Sequence, residues 1–257
     1  MTDVYETVEN PHFQYVLGLG DDSLILGQRL SECLSKGPAL EMDIAVSNLS
    51  LDLIGQADLL LGYAGKIEGK GRSADELVNF RDAHDYRCHW LVEQPDRDWG
   101  YTICRQFLFS SYQYLLFERL AKLEDKELAE IAAKALKEIA YHRRFSAEWI
   151  VRLGQGTEES NLRVQNAINE LWRYTGELFE TTKWEEALAK EGKAILASDV
   201  EAEWVETIDE VFAKAGLSKL DDFYMVYGRH KGHHSEYLGH MLCEMQYLQR
   251  AYPGAEW

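Results

Sequence analysis

The chain has 257 residues, of which 46% are hydrophobic, and it carries a formal net charge of −17. A chain of this length can bury a substantial core, as one large domain or two small ones. Its negative charge repels phosphate backbones and anionic lipid surfaces, so neither nucleic-acid binding nor membrane binding is expected. The four cysteines are scattered without a Cys-x-x-Cys pair, and the N-terminus lacks a basic start followed by an apolar stretch. These features predict a cytoplasmic protein with reduced thiols, no zinc knuckle and no secretory signal.

Apolar periodicity and glycine or proline stop signals predict a chain of helices without strands. All four prolines lie where a helical pattern breaks, which favours long helices. After a loose leader at residues 1–10, the predicted helices cover residues 12–35, 40–67, 73–91, 99–123, 126–153, 160–181, 199–215 and 233–250. Ser73 and Asp199 are the predicted N-caps of the third and seventh helices.

The order of these helices predicts the fold class. Two long helices, a crossover that contains a short helix, and two more long helices are typical of a ferritin-like four-helix bundle. The remaining helices are additions to that bundle, and residues 1–257 form a single all-α domain. An unrelated all-α bundle is the alternative.

Residues 40–63 are apolar on almost every side of the predicted helix, which predicts a central position in the bundle. Polar residues interrupt the stretch too often for a membrane span. Asn48, Asp52 and Gln56 follow each other at four-residue intervals, so their side chains share one stripe of the helix. In ferritin-like di-iron proteins, inward stripes of this kind carry the metal ligands.

The ligands for a di-iron centre are missing. Such a centre needs about six ligands, including a Glu-x-x-His pair on each of two helices. The only Glu-x-x-His of the sequence, Glu9 to His12, begins in the predicted leader, and none lies within a predicted helix. The corresponding positions hold Asp52, Gln56, Glu138 and His142, which we interpret as a vestigial metal site. Glu138 and His142, four residues apart, are expected to form a charge-assisted hydrogen bond in place of the metal, and binding of a single ion is the alternative.

A second set of metal ligands lies near the C-terminus. His233, Glu236 and His240 share one stripe of a predicted helix and resemble a zinc or iron set. Decoration of the helix start or contact with a partner is the competing interpretation. His84, Asp85, Cys88 and His89 also have helical spacing, which arises often by chance.

Other chemistries lack sequence support, because no Gly-x-Ser-x-Gly, P-loop or Gly-x-Gly-x-x-Gly motif occurs. The C-terminal region combines aromatic residues with methionine, a composition that suits a protein–protein surface or ordinary packing equally well. These residues are Tyr237, Met241, Met245, Tyr247 and Trp257.

Long segments of the chain resemble the PaaC family, the structural subunits of bacterial multicomponent phenylacetyl-CoA epoxidases. The resemblance extends from about Leu17 to Trp257. It is carried by LGDDSLILGQRLSE, PALEMDIAVSNLSLDLIGQA, LVEQP, IAAKALKEIAYHRRFSAEWIVRLGQGT, AINELWRYTGELF and LGHMLCEMQYLQRAYPGAEW. The leader and the loop EGKGRSADE depart from the family pattern.

The resemblance implies a non-catalytic subunit that has lost its iron ligands and holds no cofactor of its own. It implies pairing with a homologous di-iron catalytic subunit, PaaA, together with a small accessory subunit and a flavin and iron–sulfur reductase. Such a complex epoxidises the aromatic ring of phenylacetyl-CoA with O₂ and NADPH in aerobic phenylacetate degradation. By the same resemblance, Asp85, Tyr86, Arg87 and Cys88 help to bind the CoA thioester at the interface with the catalytic subunit.

Two other functions remain open on the sequence alone. One is a self-sufficient ferritin-like metalloprotein, and the other is an acyl-CoA-binding module without a catalytic partner. Self-association of the isolated chain is also expected if apolar helix faces are left exposed.

Overall fold

The computed structural model describes residues 8–220 and 224–255, in which helices are the only extended regular structure. In chain order they are α1 (Pro11–Ser31), α2 (Leu40–Glu68), α3 (Ala74–Asn79), α4 (Trp90–Glu93), α5 (Trp99–Leu120), α6 (Lys126–Gly154), α7 (Glu158–Leu171), α8 (Lys183–Lys190), α9 (Glu201–Ala215), α10 (Glu236–Met245) and α11 (Tyr247–Ala251). Short 3₁₀ turns lie at Ala83–Asp85, Trp172–Tyr174, Gly176–Phe179, Ala197–Val200 and Arg229–Lys231.

Four long helices form the bundle. α1 packs along α2, α5 packs along α6, and α2 also contacts α6. The α1–α2 pair is antiparallel, because Gly20 lies against Leu61 while Gly27, about two turns further along α1, lies against Leu53. α7 and α9 cover the outer side of α5 and α6. This arrangement confirms the predicted ferritin-like bundle with additional helices.

α5 and α1 lie at the centre of the bundle, and the prediction that α2 is the central helix is wrong. Only ten of the 29 residues of α2 are buried, whereas 18 of the 22 residues of α5 are buried. On the outer side of α2, Leu40, Ile44 and Leu51 are 72%, 53% and 66% exposed. An apolar composition on every side of the helix predicted burial on every side, but the described residues of this chain pack against one side of α2 only.

α2 is also long and apolar enough to cross a membrane by length and composition, and it is the single helix of the described residues that meets this test. The core helix of a soluble protein passes the same test. Within its most apolar window, 44% of the residues are buried against the rest of the chain.

The predicted helix at residues 73–91 is wrong beyond Asn79. Ser73 caps α3 as predicted, in a capping box with Glu76, but residues 80–89 leave the helical path and α4 begins only at Trp90. The backbone N–H groups of Arg87 and His89 donate to buried carboxylates of α1 instead of completing a helix. Bonds between distant parts of the chain therefore overrode local helix propensity.

Three later boundaries differ from the sequence prediction. The helix predicted at 160–181 ends at Leu171 and continues as 3₁₀ turns, and α8 was not predicted. Asp199 lies in a 3₁₀ turn and is not an N-cap, since α9 begins at Glu201. The helix predicted at 233–250 begins at Glu236 and is interrupted at Gln246. The predicted leader falls largely on residues 1–7, and these lie outside the described residues, as does Trp257.

Candidate functional site

A chain of polar side chains crosses the interior of the bundle where ferritin-like proteins hold metal. The amide nitrogen of Gln113 on α5 donates to Ser23 Oγ on α1 and to Gln56 Oε1 on α2, each over 3.3 Å. The amide nitrogen of Gln56 donates in turn to Glu138 Oε2 on α6 over 2.9 Å. All four bundle helices thus contribute to one hydrogen-bonded row.

A second bond joins α2 to α6 one turn away. His142 Nε2 lies 3.0 Å from Asp52 Oδ2, with the imidazole fully buried and the carboxylate one-third exposed. A narrow cleft of about 150 Å³ between the two helices reaches Gln56 and Glu138 from the surface. The predicted stripe on α2 is only partly internal, because Asn48 at its N-terminal end is exposed.

The structure brings Asp52, Gln56, Glu138 and His142 to one helix interface, but it pairs them differently from the prediction. Glu138 and His142 each bond to a residue of α2 and not to one another. The predicted hydrogen bond between them is therefore wrong. Both side chains lie on the same face of α6, and each bonds across the interface to a residue of α2 at about 3 Å.

These side chains do not fit a di-iron centre. The row supplies a hydroxyl group, two amides and a single carboxylate, and the amides of Gln113 and Gln56 bond to each other. A bridged iron pair takes carboxylates and imidazoles from all four helices, whereas the carboxylates and imidazole present here come from α2 and α6 alone. We therefore derive no iron chemistry from this interior.

The predicted metal set His233, Glu236 and His240 is not assembled either. All three residues are exposed. Among the described residues, one group of three His, Cys, Asp or Glu side chains places its ligand atoms within 4.8 Å of one another, and it consists of Cys88, Glu93 and His234. The helical stripe on which the prediction rested begins only at Glu236, so His233 lies before the helix.

The four residues that the resemblance implies for substrate binding lie in the segment 80–89, and they differ in burial. Tyr86 and Cys88 are fully buried, whereas Asp85 and Arg87 are half-buried and line a surface cleft of about 280 Å³. Cations and carboxylates share the walls of this cleft, which also include Glu68, Lys70, Arg72 and Arg81. Of the four residues, Asp85 and Arg87 are thus placed to meet a ligand from solution.

Arg87 is held in a defined position in this cleft. Its guanidinium donates to Gln14 Oε1 over 3.1 Å and to the backbone oxygens of His84 and Tyr86 over 2.8 and 2.7 Å. Burial lowers the pKa of Arg87 from its usual value, although the carboxylate of Asp21 acts in the opposite direction.

A network of buried charges lies beneath the same segment. Arg81 bonds through both terminal nitrogens to Asp21, and His89 Nδ1 lies 2.8 Å from Asp22 Oδ2. The guanidinium of Arg229 contacts the ring of His89 from the other side. The buried Arg81–Asp21 pair is tolerated because its opposite charges are bonded to each other. Burial and the charge of Arg229 lower the pKa of His89, so its ring bridges Asp22 and Arg229 as a neutral group.

Residues 224–235, which we call the strap segment, are held to the bundle by Arg229 and by a further buried carboxylate, Glu177. The Glu177 carboxylate accepts backbone N–H groups from Trp90 over 2.8 Å, Gly228 over 2.7 Å and Arg229 over 2.9 Å. Burial raises the pKa of Glu177 to about 7, while the three N–H groups and the Arg229 charge oppose that rise. Burial likewise lowers the pKa of His230 in the strap segment to about 2, with the charge of Arg229 adding to the effect.

Comparison with known proteins identifies the family. The family described as phenylacetic acid catabolic protein, PaaA_PaaC, matches residues 1–257. A protein of Escherichia coli (strain K12), named as a subunit of 1,2-phenylacetyl-CoA epoxidase, is 43% identical over 243 residues, which are 95% of this chain and 98% of that protein. The chain belongs to the phenylacetic acid catabolic protein family. The resemblance found in the sequence is therefore confirmed.

Sequence reasoning missed the buried charges of this family member. Asp21, Asp22, Glu177 and Arg229 were not predicted as site residues, although one signal was present. Two adjacent acids in the apolar run LGLGDDSLILG are unusual in a helix, and both are almost fully buried. No comparable signal marks Glu177 or Arg229, whose partners lie 51 or more residues away in the chain.

The aromatic and methionine residues near the C-terminus divide between the two predicted roles. Met241 packs in the core, and Tyr247 is 63% exposed. Tyr247 borders an apolar groove together with Leu242 and Cys243.

Proposed function

We propose that this member of the phenylacetic acid catabolic family is a non-catalytic structural subunit of a 1,2-phenylacetyl-CoA epoxidase. The observation that carries the proposal is the amide row of Gln113 and Gln56, which occupies the interior where a catalytic relative needs carboxylates and imidazoles. The identity of 43% to a subunit of the Escherichia coli epoxidase supports the choice of complex. A single ferritin-like domain of this kind would serve by stabilising a homologous di-iron catalytic subunit.

The outer face of α2 is the proposed docking surface for that catalytic subunit. This face consists of Leu40, Ile44, Asn48, Leu51 and Gly55, which are all exposed and follow one another at intervals of three or four residues. Apolar residues that are contiguous and exposed mark interaction sites. A Cβ atom added at Gly55 would meet nothing within 4 Å, so a helix of the partner can approach the α2 backbone closely there.

The remaining parts of the proposed complex follow from the family resemblance. A small accessory subunit and a flavin and iron–sulfur reductase would complete it in the cytoplasm. The reductase would take its electrons from NADPH, and O₂ would be consumed at the partner's di-iron centre. This chain would contribute no cofactor. Its contribution to substrate binding would come from Asp85 and Arg87, since the cleft that they line is open to solvent.

Co-expression with the catalytic homologue tests the proposal and the docking face separately. A stable complex with the wild-type chain is expected, together with loss of the catalytic subunit's activity when this chain is omitted. Leu51→Asp should weaken the complex by about 10- to 100-fold, because burial of a charge replaces an apolar contact. Leu162→Asp, at a position of α7 that is similarly exposed, is the matched control.

The outcomes distinguish the two parts of the proposal. If no complex forms and the catalytic homologue is fully active alone, the structural role is wrong. If the complex forms but Leu51→Asp and Leu162→Asp have equal effects, the role stands and the outer face of α2 is not the docking surface. Dissociation constants from titration calorimetry provide the comparison.

A further inference from the structure

Cys88, Glu93 and His234 converge beneath the strap segment, away from the bundle interior. Cys88 lies near the end of the irregular segment, Glu93 ends α4 and His234 belongs to the strap segment. Cys88 Sγ lies 3.6 Å from Glu93 Oε1, and His234 Nδ1 lies 2.6 Å from the same oxygen. The side chains of Glu93 and His234 are 0% and 4% exposed, and Cys88 is fully buried.

The hydrogen bonds of His234 call for a proton or a metal ion between its Nδ1 and Glu93. Its Nε2 lies 3.0 Å from the backbone oxygen of Tyr86, which only accepts, so Nε2 carries a hydrogen. Nδ1 and the carboxylate oxygen, 2.6 Å apart, would otherwise meet lone pair to lone pair. A proton held between the two groups removes that repulsion, and so does a metal ion bound by both.

We propose that Cys88, Glu93 and His234 form a binding site for a divalent cation of the zinc class. Thiolate, carboxylate and imidazole are the ligand types that Zn²⁺ takes in proteins, and water would complete a tetrahedral set. On binding, the thiol and the His234–Glu93 pair each release one proton to solvent, so the charge of the site is unchanged. The inference does not depend on the proposed epoxidase role.

The present spacing needs little adjustment to admit the ion. Tetrahedral zinc holds a sulfur and an oxygen ligand about 3.5 Å apart, and a nitrogen and an oxygen ligand about 3.3 Å apart. The Cys88–Glu93 separation of 3.6 Å already agrees with this value. His234 would have to retreat from Glu93 by about 0.7 Å from its hydrogen-bonded distance of 2.6 Å.

The surroundings of the three ligands are arranged as in protein zinc sites. The backbone oxygen of Tyr86 orients the imidazole of His234 through its second nitrogen. The backbone N–H and the hydroxyl group of Ser235 donate to Glu93 Oε2 over 2.7 and 2.6 Å. The ligand oxygen of Glu93 is thereby fixed while its other oxygen is fully bonded. A bound ion would fasten the strap segment to the segment that carries Arg87.

Metal uptake by the full-length chain tests the proposal. The chain is stripped with a chelator, dialysed against micromolar Zn²⁺ and analysed for zinc per chain by plasma mass spectrometry. One equivalent is expected in the wild type, with at least a roughly 100-fold loss of affinity in Cys88→Ser and His234→Gln. Cys243→Ser and His240→Gln are matched controls at exposed positions and should retain the wild-type affinity.

Cobalt gives a readout that does not require a folded variant. Co²⁺ added to the stripped wild-type chain should produce a thiolate-to-cobalt absorption band in the near ultraviolet. Absence of that band, or absence of bound zinc in the wild type, overturns the proposal and leaves His234 and Glu93 as a buried hydrogen-bonded pair. Retention of zinc in Cys88→Ser and His234→Gln with loss in the control variants overturns it equally.

Discussion

At the scale of single residues, the segment 85–88 shows how neighbours acquire different roles. Tyr86 has an extended backbone, with φ −73° and ψ 156°, and side chains of successive extended residues point to opposite sides. Tyr86 and Cys88 consequently enter the core, while Asp85 and Arg87 reach the cleft. The helix predicted for this segment would have distributed the four side chains around its axis instead.

Replacement of Arg87 by alanine tests its proposed contact with the CoA thioester. In the reconstituted complex, Arg87→Ala should raise KM for phenylacetyl-CoA by about 10- to 100-fold, the loss of one charge-assisted hydrogen bond to a phosphate. The kcat value should remain within about twofold, because Arg87 is not proposed to touch the reacting ring. Steady-state kinetics at constant ionic strength provide the measurement.

Arg163→Ala is the control for this measurement, because Arg163 is exposed on α7 and pairs with the surface carboxylates of Glu159 on α7 and Asp98 at the start of α5. An unchanged KM in Arg87→Ala would remove Arg87 from the substrate site. Binding of phenylacetyl-CoA to the isolated chain as tightly as to the complex would favour the acyl-CoA-binding module over the structural subunit.

At the scale of helices, two glycines differ in what surrounds them. Gly154 ends α6 where α9 also ends, and a Cβ atom there would collide with the backbone oxygen of Ala215. Gly55 lies in the middle of α2 on its outer face, with open space around the corresponding position. The first glycine permits two helices to meet, whereas no described residue packs against the second.

Alanine at these two positions should change stability in opposite directions. Gly154→Ala should lower the free energy of unfolding by about 1–3 kcal/mol, because the ends of α6 and α9 must separate. Gly55→Ala should raise it by about 0.5–1 kcal/mol, the difference in helix propensity. Urea unfolding of the isolated chain followed by circular dichroism measures both values.

The two alanine variants also test the proposed docking face on α2. If α2 meets a partner helix, Gly55→Ala should weaken the complex although it stabilises the isolated chain. A loss of stability in Gly55→Ala would show that the outer face is occupied in the isolated chain, for example by a second copy. A neutral Gly154→Ala would contradict the close contact between α6 and α9.

At the scale of the whole molecule, buried charges join the strap segment to the bundle, and they make stability depend on pH. The pKa of Glu177 is about 7 in the fold and 4.5 as its reference value. Between these values the unfolded chain has released the proton and the folded chain retains it. The contribution of Glu177 to the free energy of unfolding is therefore complete below pH 4.5 and is lost as the pH rises to about 7.

Glu177→Gln isolates this contribution. Between about pH 4.5 and 7.5, the free energy of unfolding of the wild type should fall by about 3 kcal/mol relative to that of Glu177→Gln. One pKa unit corresponds to about 1.4 kcal/mol. Comparison of the two proteins is necessary because His230, whose pKa is lowered to about 2, makes stability rise with pH up to about 6.5. Urea unfolding at several pH values provides the curves.

Glu159→Gln, at an exposed position on α7, is the control for replacement of a surface carboxylate by an amide, and the change with pH for Glu177→Gln should exceed that of this control. A flat difference for Glu177→Gln would mean that Glu177 is ionised throughout this range. Its three N–H donors would then outweigh the effect of its burial.

The helices of the bundle were predictable because their signals are local. Apolar periodicity in α5 and α6 and the capping residues Ser73, Asp98 and Asp125 all lie within a few positions of the elements that they define. The segment 80–89 was not predictable for the opposite reason. Its conformation depends on Asp21 and Asp22, which are more than 60 residues away along the chain.

The interior site was predictable in composition and not in geometry. Absence of Glu-x-x-His from the predicted helices is a statement about residue types, so the sequence alone excluded the usual di-iron ligand set. The pairing of Gln56 with Glu138 and of Asp52 with His142 depends on which helix α6 faces. The same holds for Cys88, Glu93 and His234, whose meeting across 146 residues leaves no pattern in the sequence.

By itself, the sequence determined the helical class of this protein, its family and the loss of the usual di-iron ligands, because residue types and their periodic spacing carry that information. Only the tertiary structure decided that α5 is central, that one apolar face of α2 is left uncovered and that buried charges hold the strap segment. Those features depend on which distant surfaces pack together. The free energy of that packing arises from contacts between two elements, so no single stretch of sequence encodes it.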